Sequence, residues 1–236
     1  GGSKTRVFNT DGTKTLEIDH GGASVWDVAA DNVGNIYVCG GAFEAKYAAN
    51  GNLLWQVNNP SEVNMHCTVS VTQYGGVYVA HEIYFADQLR VAKISEAGNV
   101  EWVKTLAEPA SNAGSMTGLP LVAEAADGSV YAVSSTADGR KLYKLDASGN
   151  TLWSRASTDS AVRSLQLDAN GNVYLYGRGK GEKFDAAGTS LAKIAAPYSP
   201  EITSGDQVVV NNAIYVADTL NKDGGLTGWV AKYSNP

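Results

Sequence analysis

"DANGNVYLYG", residues 168–177, joins a polar turn to an alternating apolar run. Asn-Gly supplies the positive φ that a two-residue hairpin needs, and the run that follows has the period of a half-buried strand. Near-copies stand at 31–40 ("DNVGNIYVCG"), 72–81 ("TQYGGVYVAH"), 125–134 ("AADGSVYAVS") and 209–218 ("VVNNAIYVAD"). Their tyrosines are Tyr37, Tyr78, Tyr131, Tyr174 and Tyr215, separated by 41, 53, 43 and 41 residues. Between them a second motif recurs: "KYAANGNLLW" at 46–55, "KISEAGNVEW" at 93–102, "KLDASGNTLW" at 144–153 and "KFDAAGTSLA" at 183–192. It puts Trp55, Trp102 and Trp153 in register, with Ala192 breaking the series.

A period in the forties built only of short strands is the mark of a propeller blade. Residues 161–195 show the unit: "VRSLQLD" reads as strand one, "NVYLYG" as strand two, "GEKFDA" as strand three and "TSLAKI" as strand four. One such sheet cannot bury both faces, so neighbours must stack. The expected fold is therefore an all-β propeller of four-stranded antiparallel blades in one domain, 1–236. Five blades are expected, at 22–58, 65–106, 117–157, 161–195 and 201–236. The last takes its fourth strand from 13–19, which closes the ring and removes open edges. Two segments, around Phe8 and Tyr233, compete for the third-strand place in that closing blade, so either one of them is displaced or the chain is a segment of a longer array.

Composition narrows the function. Over 236 residues the net charge is −6 and the pI about 5.0. No Lys/Arg cluster exists to neutralise phosphates, so nucleic acid is not an expected partner. The apolar runs are too short for a membrane-spanning helix, and membrane insertion is not expected. The opening Gly1-Gly2-Ser3, with no initiator Met, reads as an appended leader or as the start of a mature or excised piece. Cys39 and Cys67 read as two buried free thiols, with a single bridge as the alternative.

Catalytic constellations are sparse. His20, His66 and His81 fall on different blades without metal-ligand spacing, so no metal is expected. His20 reads as a hydrogen-bonding residue at a blade junction, His66 as core or channel lining, and His81 as the first residue of a binding loop. Asp31, Asp127, Asp168 and Asp185 read as Asx-type caps of their turns. "GRGKG" at 177–181 lacks the helix and Lys-Ser/Thr pair of a phosphate cradle and reads as a hairpin loop. No G-x-S-x-G elbow occurs.

The combination D-x-x-G-N-x-Y-V with K-Y-x-x-x-G-N-x-x-W resembles the quinoprotein-like β-propeller repeat family, in the form met in phage-encoded and bacterial extracellular repeat proteins. That resemblance implies a virion component or host-surface binder, virion or extracellular in location. The quinone and calcium chemistry of true quinoprotein dehydrogenases does not carry over: the two cysteines are not vicinal, and no cofactor is expected.

Loop lengths supply the remaining signal. Turns between strands one and two, and three and four, are short. The other connections vary, among them "HEIYFADQ" (81–88), "SSTADGR" (134–140), "APYSPE" (196–201) and "DTLNKDGGLT" (218–227). The two sets emerge on opposite ends of a four-stranded meander, and elaborated loops on a rigid scaffold are where binding concentrates. The expected function is a non-catalytic binding or structural module. Its contacts are His81, Tyr84, Phe85, Arg140, Arg178, Tyr198 and Asn221, and its partner is a protein neighbour in an assembly or a surface glycan. The alternatives are a quinone-dependent oxidoreductase or polysaccharide-acting enzyme, and a lectin.

Overall fold

The computed structural model describes residues 2–58, 66–83, 88–106, 120–136, 139–157, 162–177, 180–195, 202–210, 213–222 and 225–234. The chain divides into two compact units, Gly1–Pro109 and Ala110–Pro236. Among the described residues every regular element is a strand.

The first unit opens with a hairpin of β1 (Lys4–Phe8) and β2 (Lys14–Asp19). Two antiparallel meanders follow. One is β3 (Val25–Ala30), β4 (Ile36–Gly40), β5 (Phe43–Tyr47) and β6 (Leu53–Asn58); the other is β7 (His66–Val71), β8 (Val77–Ile83), β9 (Gln88–Ile94) and β10 (Val100–Thr105). The second unit holds β11 (Leu121–Glu124), β12 (Val130–Thr136), β13 (Gly139–Leu145) and β14 (Thr151–Ala156), then β15 (Ser164–Leu167), β16 (Val173–Gly177), β17 (Lys180–Phe184) and β18 (Ser190–Ala195). It ends in a three-stranded sheet of β19 (Ile202–Val210), β20 (Ala213–Lys222) and β21 (Gly225–Ser234).

The turns depart from the two-residue form. In 185–189, Gly188 N–H donates to Asp185 O at 3.0 Å and Asp185 N–H to Thr189 O at 3.0 Å, with Gly188 at φ +82°. This is a type I turn followed by a left-handed glycine, and the register shifts beside it, between Lys183 and Phe184. The acids fit it: Asp168 Oδ1 accepts Asn170 N–H and Asn172 N–H, both at 2.9 Å, and Asp31 and Asp185 do the same in their own turns.

Sheets stack through apolar faces. Tyr37 and Cys39 of one sheet pack with Cys67, Val69, Val77 and Val79 of the next. In the second unit Tyr131, Val133 and Leu142 meet Leu165, Leu175 and Phe184, and Tyr174 and Tyr176 meet Ile214 and Val216. Strand two is buried along its whole length in the sheets of β4 and β16, because a neighbour covers each face.

The pairing at the ends differs from the expected closure. The segment 13–19 forms β2 and pairs with β1, with Val7 opposite Leu16, because the turn 9–13 closes a hairpin locally like the others. The two claimants for one third-strand place therefore occupy different sheets: Phe8 stands opposite Lys14, and Tyr233 opposite Ile214 in β21. The sheet of β19–β21 has three strands among the described residues.

The cysteines also depart from expectation, being joined as a Cys39–Cys67 disulfide. Strands β4 and β7 belong to different sheets, and stacking brings the two Cα atoms to 6.1 Å, within bridging range. The bond fastens one sheet to the next.

Candidate binding faces

One transverse row of side chains repeats across each sheet. Tyr37 on β4 stands opposite Lys46 on β5, which stands opposite Trp55 on β6. Tyr78–Lys93–Trp102, Tyr131–Lys144–Trp153 and Tyr174–Lys183–Ala192 are the same row, and Tyr215–Lys232 begins it in the last sheet. Each lysine ammonium lies over its tyrosine ring, at 5.1 Å for Lys46 and 5.2 Å for Lys144. A cation is attracted by the negative ring face, which lets Lys46 and Lys144 sit buried with their charge compensated.

These rows grip the next sheet through its turns. Tyr37 Oη donates to Gly75 O at 2.7 Å and Trp55 Nε1 donates to Glu96 O at 2.9 Å, while Lys46 Nζ lies 3.8 Å from Glu96 Oε1. In the second unit Trp153 Nε1 and Lys144 Nζ both donate to Ala186 O, at 3.3 and 3.2 Å. Burial, reinforced by Asp31 at 3.1 Å, raises the Tyr37 hydroxyl above its ordinary range and keeps it a donor. Tyr37, Trp55 and Trp153 are thus placed at sheet junctions, with their polar atoms bonded to the next sheet's turns.

The histidines are engaged too. His20 Nε2 is 2.9 Å from Thr5 Oγ1 and Nδ1 is 3.3 Å from Tyr47 Oη, so it ties side chains rather than backbone. Burial lowers its pKa, favouring the neutral ring. His66 packs edge-on against Trp26, ring centres 4.3 Å apart. His81 was read as opening a loop, but β8 runs on to Ile83 and holds it inside the sheet, 3% exposed. Its Nε2 stands 2.6 Å from Glu44 Oε1 across the sheet junction. Glu44 is opposite Cys39 and His81 opposite Cys67, so the pair and the disulfide form one buried quartet. His81 is therefore removed from the set of exposed contacts.

The other loop candidates divide in two. Arg140 lies in β13 opposite Ser135, and Asn221 in β20 opposite Leu226. The segment "DTLNKDGGLT" is mostly a long hairpin rather than a loop, since the ladder runs on to Lys222 opposite Gly225. Tyr84, Phe85, Arg178 and Tyr198 lie outside the described residues.

The opposite, short-turn face is richer than its sequence suggested. Tyr74 is 79% exposed and Val33 77%, each just before its turn glycine in neighbouring sheets. The residue just before the turn glycine was the available signal: an aromatic or branched apolar residue there has no interior to enter.

Antiparallel four-stranded sheets stacked face to face through a repeated row define a β-propeller repeat protein. The sequence profile described as outer membrane protein assembly factor BamB matches residues 41–232, and the chain belongs to that family. No curated protein matches it. Among solved structures it is similar to a Bacteroides caccae protein of unknown function, at 14% identity and TM-score 0.67, over 100% of this chain and 87% of that one. BamB from Moraxella catarrhalis is similar at 17% identity and TM-score 0.58, over 96% of this chain and 59% of that one. The Neurospora crassa Pan2 WD40 domain gives 12% and 0.62, over 92% and 69%. At these identities the likeness establishes the propeller fold, and the chain spans about three fifths of the Moraxella BamB chain.

Proposed function

We propose that this chain is a non-catalytic binding module that holds a protein neighbour in an assembly on a virion or cell exterior. The observation that supports this most is the inward use of the repeat chemistry. Tyr37, Lys46, Trp55, Lys144 and Trp153 bond to turns of neighbouring sheets, the turn aspartates Asp31, Asp168 and Asp185 bond within their own turns, and the histidines bond to or pack on nearby side chains. Such a rigid stack presents its non-repeating connections for recognition. Membership of a family described as an assembly factor points the same way. The Cys39–Cys67 bond supports the location, because disulfides persist outside the reducing cytosol.

A photo-crosslinking residue placed at Tyr84, with a matched probe at Tyr74 on the short-turn face, tests the reading in the native host or virion preparation. Adducts to a protein from position 84 and none from 74 are expected. Adducts from 74 alone move the docking surface to the short-turn face. A product bearing carbohydrate replaces the protein neighbour with a glycan.

A further inference from the structure

The junction between the sheets of β3–β6 and β7–β10 holds an unusual set of side chains beside its Tyr37–Lys46–Trp55 row. Cys39 stands opposite Glu44, and on the facing sheet Cys67 stands opposite His81. In the next two sheets the pair corresponding to Cys39–Glu44 is apolar: Ala80 opposite Val91, and Val133 opposite Leu142. All four residues of the quartet are buried, Cys39 at 0%, Cys67 at 1%, and Glu44 and His81 at 3% exposed. Stability does not call for this choice, since well-packed apolar residues in place of a buried ion pair are often as good or better.

The quartet has the chemistry of a ligand set. His81 Nε2 makes no hydrogen bond although Glu44 Oε1 lies 2.6 Å away, so the two atoms converge out of donor–acceptor alignment. Two cysteine sulfurs meet in the same junction. Two thiolates, an imidazole nitrogen and a carboxylate oxygen are a complete four-coordinate set for zinc or a similar borderline-soft divalent ion. Zinc–sulfur bonds of about 2.3 Å at a tetrahedral angle hold two sulfurs roughly 3.8 Å apart. Side-chain rotation reaches that spacing from Cα atoms 6.1 Å apart. Glu44 and His81 need to part by less than about 1 Å to share an ion bonded at about 2.1 Å. Three anionic ligands exceed the ion's charge by one, and Arg90, opposite His81 on β9, brings a positive charge to the same face of the sheet.

With the disulfide closed the sulfurs hold each other, and among the described residues no group of three such donors could hold an ion. Reduction frees two donors at once. We propose that the reduced chain binds one zinc-type divalent cation through Cys39, Glu44, Cys67 and His81, and that closing the disulfide expels it. Binding releases one proton from each thiol. On oxidation the two thiolates give two electrons to a small disulfide, which leaves as two thiols, and the ion departs as the Cys39–Cys67 bond forms. The junction is thereby fastened by metal in a reducing compartment and covalently outside it.

Cobalt(II) titration of the full chain, reduced with a phosphine and kept anaerobic, tests this. Thiolate ligation gives a sulfur-to-cobalt charge-transfer band, and tetrahedral geometry gives intense visible absorption. One cobalt per chain is expected, displaced by zinc, with neither signal in the oxidised chain. His81→Ala and Glu44→Gln should each weaken binding about tenfold or more. The unaltered chain gives a second reading that no variant's folding can confuse: zinc should raise the melting temperature of the reduced form and leave the oxidised form unchanged. A reduced chain that binds no cobalt, or that zinc does not stabilise, overturns the proposal. So does cobalt binding that both substitutions leave at full strength, since the imidazole and carboxylate are then not ligands. None of these outcomes bears on the loop-borne partner above, which is read by crosslinking from position 84.

Discussion

Tyr131–Lys144 and Tyr215–Lys232 are the same kind of pair on corresponding strands of two sheets, yet the first is buried and the second half-exposed. Their intrasheet geometry is nearly identical, 5.2 and 5.4 Å from ammonium to ring centre. What differs is the neighbour: Ala186 O accepts Lys144 Nζ and Trp153 Nε1, while Lys232 stands in solvent. The strand pattern places the row, and the adjoining turn makes it a junction. Stability in such an array is approximately the sum of each repeat's own stability and the interface terms between neighbours.

Truncation separates the two states most strongly. Tyr131→Ala is expected to cost about 3–5 kcal/mol in urea unfolding, as for a large aromatic removed from a packed core. Tyr215→Ala should cost less than half of that, because its site is open on one side. Equal losses would mean that burial by the neighbour contributes little.

The junction in the first unit has a covalent addition. With the cysteines 28 positions apart in sequence, replacing both by Ser should lower stability by about 3.5 kcal/mol if chain entropy dominates. The same variant should abolish any effect of a reducing agent on the urea midpoint. A wild type indifferent to reductant would show that the stacked faces hold the sheets without the bond.

The glycines make a finer comparison. Gly98 and Gly12 share a left-handed φ, +85° and +84°, but only Gly98 is crowded, by Trp55. Both alanine variants carry the left-handed backbone penalty of about 1–2 kcal/mol. Gly98→Ala should add about 1–3 kcal/mol of overpacking. Equal costs for the two would contradict a tight turn-to-row contact.

The smallest effect belongs to the exposed hairpin. Hydrogen bonds from Lys4, Lys14 and Arg6 hold Glu17 down to about 2. An acid lowered on folding contributes stability that is fully present above its unfolded value of 4.5 and is lost as pH falls toward 2. Solvent and salt screen this network, so the contribution is small. Glu17→Gln should flatten the stability profile within that window and leave neutral pH nearly unchanged.

Much of this architecture was legible from Tyr37 to Trp153, because their spacing follows from strand length and turn chemistry alone. Lys46 was not recognised as part of the row, since its ion-pair partner Glu96 sits on another sheet, fifty residues on. Cys39 and Cys67 were misread for the same reason: contact between sheets leaves no mark in local periodicity. His81 was misread because β8 outruns its motif, and nothing in "HEI" announces whether a ladder continues. The exposed Tyr74 escaped notice because its turn was judged by length rather than by its variable residue.

The bond between Cys39 and Cys67 also has a mechanical meaning. A chain pulled from its two ends lengthens as each meander peels apart, but the segment between the cysteines is short-circuited. Fully extended, 28 residues would span roughly 95 Å. That length stays hidden while the bond is intact, so a single oxidised molecule under tension should reach full extension short of its reduced form by about that amount.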